Sequence, residues 1–361
     1  MGLFSRKKKN EAVDSSTGPK GFNELEVKEV LELTPGSVKV SFIVPDHLES
    51  AYRFVPGQYL NISAVIGGSE ERRSYSICSG EGETIAVAIK RINNGKISNW
   101  ANDDLKPGMK VNVAPPMGNF QLDKTLKNVV AFAAGSGITP IISMAKSLQK
   151  SGGNMKLFYG NRTVDSIMFA SEFAALDHVS VAHYLTGETG DGFHAGRLDK
   201  EAISAIIKSD LNILKSEAFF LCGPETMIKA AIDTLTLFGV SKAKIHYELY
   251  TTPVVLIEDK PVEVNHFDGE SKVTVILDDE EIKLTLKASG KTILDAVNKE
   301  GYDAPYSCRG GVCCTCRAKV LKGKVNMTLN YSLTDQEVAE GFVLTCQSHP
   351  ASEEVILSYD E

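Results

Sequence analysis

The chain has 361 residues, 43% hydrophobic and 24% charged, with a formal net charge of 39 − 46 = −7 and a pI near 5.6. That composition excludes a disordered or collagenous chain, and no apolar run reaches the roughly 18 residues of a membrane-spanning helix. The acidic balance argues against a nucleic-acid scaffold, and the length allows two or three domains.

The first 20 residues hold Arg6-Lys7-Lys8-Lys9 and sum to +3, five basic residues against Glu11 and Asp14. A signal peptide would follow such charges with an apolar stretch, but Asn10–Ser16 is polar. Residues 1–21 read as a disordered tail, with a weak membrane-surface patch as the alternative, in a cytoplasmic protein.

Residues 22–122 are mostly β in pattern. Val38–Val44, Tyr59–Val65, Ser74–Cys78 and Thr84–Ile89 are short strand-like runs, punctuated by Pro56-Gly57, Gly67-Gly68 and Pro107-Gly108. Such spacing predicts a sandwich or small barrel. Residues 123–252 change character. Asn128–Ala134 is a compact apolar run, as in a strand buried on both faces. A helix is predicted over Pro140–Lys150, then strands at Met155–Tyr159, Val179–Tyr184 and Glu217–Cys222. Alternating strands and helices predict a parallel α/β sheet. Residues 253–271, with Pro253 and Pro261, read as a linker. Residues 272–361 open on a predicted hairpin, Val273–Leu277 and Ile282–Leu286, followed by a helix at Thr292–Lys299.

Five of the seven cysteines fall in this last unit. Cys308, Cys313, Cys316 and Cys346 give C-x4-C-x2-C…C, the plant-type spacing for a [2Fe–2S] cluster. Gly310 and Gly311 let the backbone wrap closely and aim N–H groups at the sulfurs. Zinc is the alternative, but structural zinc sites use two close ligand pairs, and here only Cys313 and Cys316 form one. Cys314 fits no ligand slot and reads as a small buried thiol beside the cluster.

Three further motifs are individually weak. Arg73-Ser74-Tyr75-Ser76 lies on a predicted strand, where alternation puts Arg73 and Tyr75 on one face and Ser76 on the other. An Arg binds phosphate and an aromatic stacks on a flat ring; a strand with an exposed Arg and a packed Tyr explains the pattern equally well. Gly95-Lys96-Ile97-Ser98 precedes a short helix, with Ser98 as a candidate cap whose helix N-terminus would suit a pyrophosphate. Gly135-Ser136-Gly137-Ile138-Thr139-Pro140 joins a buried strand to a helix, the place where dinucleotides are held. About 20 residues later, where an NAD site carries an acid for the ribose diol, stand Asn161 and Arg162. Arg162 would pair with a 2′-phosphate, favouring NADPH over NADH; a solvated loop Arg is the plain alternative.

Taken in this order, the R-x-Y-S, G-K-I-S, glycine-loop and cysteine motifs resemble the ferredoxin–NADP reductase superfamily. Within it, the chain is similar to oxygenase reductases with a plant-type ferredoxin domain at the C-terminus. The resemblance covers about residues 22–361. It implies an antiparallel flavin-binding β-barrel, an α/β nucleotide-binding domain and an α+β ferredoxin-like (β-grasp) domain. It further implies that Arg73 and Ser74 lie at the flavin phosphate, Tyr75 on the isoalloxazine and Ser76 near its N5 edge. Gly95, Lys96, Ile97 and Ser98 would hold the pyrophosphate, favouring FAD over the FMN of a related branch. Gly135, Ser136, Gly137 and Thr139 would bind the nucleotide, and Cys222-Gly223-Pro224 would place Cys222 beside the nicotinamide. Glu248 and Tyr250, in His246–Tyr250, would approach the flavin.

The expected function is an electron line from NADPH through FAD and the [2Fe–2S] cluster to a protein acceptor, a di-iron oxygenase component. The cofactors carry the chemistry and the protein sets spacing and potential. Residues 272–361 carry 10 basic and 14 acidic side chains, a balance that would steer a basic partner or simply confer solubility. A general reductase serving other acceptors is one alternative; a non-catalytic metal-bearing interaction module is another. The chain has no H-E-x-x-H or G-x-S-x-G pattern and no pair of E-x-x-H motifs, so hydrolase or oxygenase chemistry of its own is not expected.

Overall fold

The computed structural model describes residues 21–254 and 267–361. The basic tail and most of the predicted linker lie outside the described residues. Three sheets organise the rest.

The first is antiparallel: β1 (Asn23–Thr34), β2 (Ser37–Ile43), β3 (Tyr59–Ile66), β4 (Ser69–Ser76), β5 (Ala86–Lys90) and β6 (Lys110–Val113), in the order β4-β3-β6-β1-β2-β5. A bridge between Ile77 and Val87 brings the chain after β4 onto β5, closing the sheet as a barrel. Inward residues of period two, Val38, Val40 and Phe42 on β2 and Leu60 and Ile62 on β3, fill its core. Helix α1 (Lys96–Asp103) packs its Ile97 and Ala101 inward. The 12-residue β1 is absent from the strand-like runs because its acidic residues mask the alternation; Glu24, Glu26, Glu29 and Glu32 interrupt a buried Leu25 and Val27. β4 begins five residues before the predicted strand, its first half being the charged Ser69–Arg73. It qualifies as a strand through full pairing with β3 rather than through hydrophobicity.

The second sheet is parallel and built from β7 (Asn128–Ala134), α2 (Ile138–Ser151), β8 (Asn154–Asn161), α3 (Ala170–Ala174), β9 (Val179–Leu185), β10 (His194–Ala195), α4 (Lys200–Ser209), β11 (Ala218–Cys222), α5 (Glu225–Leu237) and β12 (Ile245–Glu248). Its order is β10-β9-β8-β7-β11-β12. The chain runs outward from β7 in both directions, so the topological switch falls at the carboxyl end of β7, where ligands bind in such sheets. The central strands are buried on both faces, as the apolar run at Asn128–Ala134 predicts. Cys78, Phe120 and Leu122 from the barrel side share one core with Ile141, Met144 and Leu148 of α2, so these two units pack as one body.

The third sheet comprises β13 (Glu270–Leu277), β14 (Glu280–Lys287), β15 (Arg317–Lys322), β17 (Phe342–Leu344) and β19 (Glu354–Ser358), with order β14-β13-β19-β15-β17, while β16 (Val325–Met327) and β18 (Ser348–Pro350) pair with each other beside it. The first strand, β13, runs parallel to the last, β19. Helix α6 (Ile293–Lys299) covers it with Ile293, Leu294 and Val297, giving a β-grasp. Its N-cap is Thr292, whose side chain accepts from the Asp295 N–H. The predicted hairpin forms around Asp278-Asp279, both in the left-handed region (φ 52° and 62°), as a tight two-residue turn demands. Among the described residues no helix is long and apolar enough to cross a membrane.

Candidate functional site

The three units meet at one cavity of about 440 Å³. Tyr59, Arg73, Ser74 and Ser76 come to it from the barrel, Glu248–Thr252 from the end of the α/β unit, and Ser307, Cys308, Arg309, Val312 and Cys313 from the β-grasp. The sequence motifs flagged Arg73–Ser76, Glu248 with Tyr250, and the cysteine loop separately; only the fold puts them on one wall.

Pairing within the barrel explains the first group. Tyr59 and Ser76 are cross-strand partners, as are Asn61 and Ser74, so alternate residues of β3 and β4 face the same side. The buried Ser76 donates to Glu248 Oε2 at 3.0 Å and lies 3.1 Å from the Tyr250 hydroxyl. Tyr75 does not line this cavity; it packs against the barrel core. Arg73 and Lys96 both pair with the Glu71 carboxylate, which those cations hold below the usual carboxylate range, the Lys96 hydrogen bond first. Two of the predicted phosphate-binding cations are thereby joined at the entrance to α1. Ser98 does not cap that helix. α1 starts at Lys96 with Gly95 extended at the N-cap position, and the Ser98 hydroxyl inside the first turn accepts from Ile92 N–H at 3.2 Å.

The glycine loop follows β7 as predicted. Gly135–Gly137 forms a single 3-10 turn that runs into α2, with Thr139 and Pro140 buried in its first turn. Gly137 is required there, because a Cβ would lie 2.1 Å from the Cys222 carbonyl oxygen. The close approach brings the α2 N-terminus against Cys222-Gly223-Pro224. Thr139 Oγ1 donates to Ser136 O at 3.0 Å and lies 3.0 Å from the Tyr250 hydroxyl. Tyr250 thus connects the glycine loop to Ser76, and Cys222 hydrogen-bonds with it as well. Cys222 and Glu248 are register partners on β11 and β12.

Burial governs the electrostatics of this cluster. Glu248 and Tyr250 line the cavity beside residues of all three units. Desolvation pushes the Glu248 carboxyl up to about 8, with the Ser76 hydrogen bond opposing it. Desolvation, then the nearby Glu248, raises the Cys222 thiol well above its ordinary range. Cys222 is therefore a neutral thiol and not a nucleophile.

At the end of β8, Arg162 is exposed and, among the described residues, has no ion-pair partner. The neighbouring Asn161 is buried, with neither amide atom hydrogen-bonded.

The cysteine loop forms two thiol pairs. Cys308 and Cys313 have sulfurs 3.1 Å apart, and Cys316 hydrogen-bonds with Cys346. Two thiolates for each of two irons is the demand of a [2Fe–2S] cluster, and the donors around the sulfurs suit it. Gly310 N–H donates to Cys308 Sγ at 3.3 Å, Thr315 Oγ1 to Cys313 Sγ at 3.4 Å and Gln347 Nε2 to Cys346 Sγ at 3.7 Å. The Cys313 hydrogen bond, with further backbone N–H donors, brings Cys308 down to about 6. Gly311 adopts φ +75°, a conformation that favours glycine, where the loop turns back on itself. Cys314 points away and donates to Ser332 O at 3.3 Å.

Residues that sequence reasoning passed over include Tyr59, Thr252 and Ser307. The Tyr59 hydroxyl accepts from the Cys314 N–H at 3.2 Å, and Thr252 donates to Gly310 O at 3.2 Å. Tyr59 follows the Pro56-Gly57 turn, which was its only local signal.

Three family models match the chain: an oxidoreductase FAD-binding domain over residues 24–122, an oxidoreductase NAD-binding domain over 132–233, and a 2Fe-2S iron-sulfur cluster binding domain over 275–351. The chain is 38% identical over 353 residues to a subunit of the 1,2-phenylacetyl-CoA epoxidase of Escherichia coli, covering 94% of this chain and 98% of that one. It is 33% identical over 362 residues to the ferredoxin reductase component of 3-ketosteroid-9-alpha-monooxygenase of Mycobacterium tuberculosis, covering 94% and 96%. Among solved structures, phthalate dioxygenase reductase aligns over 94% of this chain and 98% of its own, at TM-score 0.57 and 22% identity, which bears on the fold.

Proposed function

We propose a specific role for this chain, which belongs to the family of oxygenase reductases that join FAD-binding, NAD-binding and [2Fe–2S] domains: it takes electrons from NADPH and delivers them to a di-iron oxygenase component in the cytoplasm. The observation that carries the reading is the single cavity on which flavin-site residues, the end of the nucleotide domain and the cluster loop converge. A flavin held there would supply the conversion between a hydride's two electrons and the single electrons that a [2Fe–2S] cluster takes.

The chain's own residues do the rest. Arg73 and Lys96 offer cationic groups to the flavin's phosphates, and Glu71 keeps both in place. Ser76 presents a hydroxyl to the flavin's reactive edge. Glu248, its carboxyl pushed up to about 8 by burial, accepts the hydrogen bond of the Ser76 hydroxyl. Gly135–Thr139 supplies backbone N–H groups and a helix N-terminus for the dinucleotide pyrophosphate. The neutral Cys222 offers a compact, weakly polar wall for the nicotinamide, and Gly223 and Pro224 set its position. Cys308, Cys313, Cys316 and Cys346 hold the cluster. All seven cysteines are free thiols in the structure, in keeping with a reducing compartment.

The unpaired guanidinium of Arg162 supports NADPH over NADH, since a 2′-phosphate would give it a charge-assisted partner. The test is an anaerobic titration of the holoprotein with each nucleotide, followed by visible absorption. Both flavin and cluster bands should bleach, at lower concentration with NADPH. Arg162→Ala should raise the NADPH requirement roughly tenfold, the worth of one charged hydrogen-bonded contact, and leave NADH nearly unchanged. A preference for NADH would overturn the nucleotide assignment, and no bleaching by either would overturn the reductase role.

A further inference from the structure

We propose that Arg72 is a positioning residue that latches the [2Fe–2S] domain onto the flavin-binding barrel, so that the cluster loop forms part of the flavin cavity. The proposal rests on the electron-transfer role above and adds the device that holds its two ends together.

Arg72 sits on the edge strand β4 next to Arg73, yet its side chain is only 1% exposed. Its Nε donates to Glu70 Oε1 at 2.7 Å, and its Nη2 donates to Asp303 Oδ1 at 2.7 Å. The guanidinium lies 4.6 Å from the centre of the Tyr306 ring and 5.4 Å from that of Phe22. Glu70 and Phe22 belong to the barrel side; Asp303 and Tyr306 belong to the β-grasp unit. A buried cation is costly unless it is paired, and stacking on an aromatic face is a recognised use of Arg. Half of what compensates Arg72 therefore comes from the other domain. Undocking would strip it of one carboxylate and one ring.

The geometry links this contact to the electron path. Arg72, Ser74 and Ser76 lie on one side of β4 by its period of two. Arg72 grips Asp303 and Tyr306, Ser74 lies 2.9 Å from the Ser307 hydroxyl, and Ser76 reaches Glu248. The next residue after Ser307 is the ligand Cys308. On β3, Asn61 donates to Thr315 at 2.9 Å, between ligands Cys313 and Cys316. One strand face thus sets the third domain's register residue by residue, from the latch to the cavity.

The experiment compares wild-type holoprotein with Asp303→Asn and Asp303→Lys, changes at a carboxylate that is 40% exposed and outside the cofactor sites. Arg72→Gln is a third variant; should it fail to fold, the Asp303 pair still decides. Two readouts are used: stopped-flow absorption, which separates flavin from cluster reduction, and small-angle X-ray scattering of the resting protein. Flavin reduction should stay within about twofold of wild type. Cluster reduction should slow roughly tenfold in Asp303→Asn, a loss of about 1.4 kcal/mol of docking, and further in Asp303→Lys, with a larger radius of gyration in both. Unchanged cluster reduction and scattering, or equal slowing of both steps without a change in scattering, would overturn the latch. A wild-type protein whose cluster no nucleotide reduces would instead refute the electron-transfer reading, so the two failures are distinguishable.

Discussion

Glu248 shows how position rather than residue type sets chemistry. In the unfolded chain its carboxyl titrates near 4.3, whereas burial in the folded protein lifts it to about 8. The folded state then binds a proton that the unfolded state lacks, so stability falls as pH rises through the window between those values. The limiting slope for one such group is about 1.4 kcal/mol per pH unit. Glu248→Gln keeps hydrogen-bonding capacity next to Ser76 and does not titrate. Denaturant unfolding of the flavin-free protein, measured from about pH 5 to pH 8, should show a shallower loss of stability in Glu248→Gln than in wild type. Identical slopes would show that Glu248 is ionised in the folded state.

At the scale of elements, the junction of β7, α2 and β11 leaves no room for a side chain. The switch point of the sheet places the Gly135–Gly137 turn directly against Cys222, and only a residue without a side chain fits at Gly137. Its φ is not positive, so the constraint is space alone. Gly137→Ala must displace either α2 or the Cys222 backbone. An overpacked site of this kind costs about 1–3 kcal/mol, and here the displaced atoms border the turn proposed to hold the nucleotide. We expect lower stability in denaturant unfolding together with weaker NADPH binding by titration; a loss of stability with unaltered nucleotide affinity would show that the pyrophosphate does not rest on this turn.

Across the whole molecule, the β-grasp unit is held by a polar seam rather than by a shared core alone. Arg72–Asp303, Ser74–Ser307, Asn61–Thr315 and Asn119–Glu337 cross from the barrel, while Val312 and Tyr331 rest on the apolar layer of the α/β unit. With the cluster loop already on the cavity proposed for the flavin, internal transfer requires no encounter between molecules, because linked sites see a fixed effective concentration. The rate of cluster reduction after nucleotide mixing should therefore not depend on protein concentration. A rate that falls in proportion on dilution would mean that electrons pass between molecules.

Much of the fold was legible because it rests on local signals. The period-two runs of the barrel, the doubly buried strand at Asn128–Ala134, the hairpin turn at Asp278-Asp279 and the cysteine spacing are all properties of neighbouring residues. The charged half of β4 and the Glu-rich β1 were not legible, since pairing with neighbouring strands, not hydrophobicity, makes them strands. The sequence by itself determined the cysteine set for a [2Fe–2S] cluster and the glycine turn between strand and helix, because thiolate number and glycine position are covalent facts of the chain. The tertiary structure alone decided that the Arg73–Ser76 strand, Glu248 and the cluster loop share one cavity, and that Arg72 is buried between domains. Those outcomes depend on contacts between residues as far apart as Arg72 and Asp303, and no local pattern encodes such a distance.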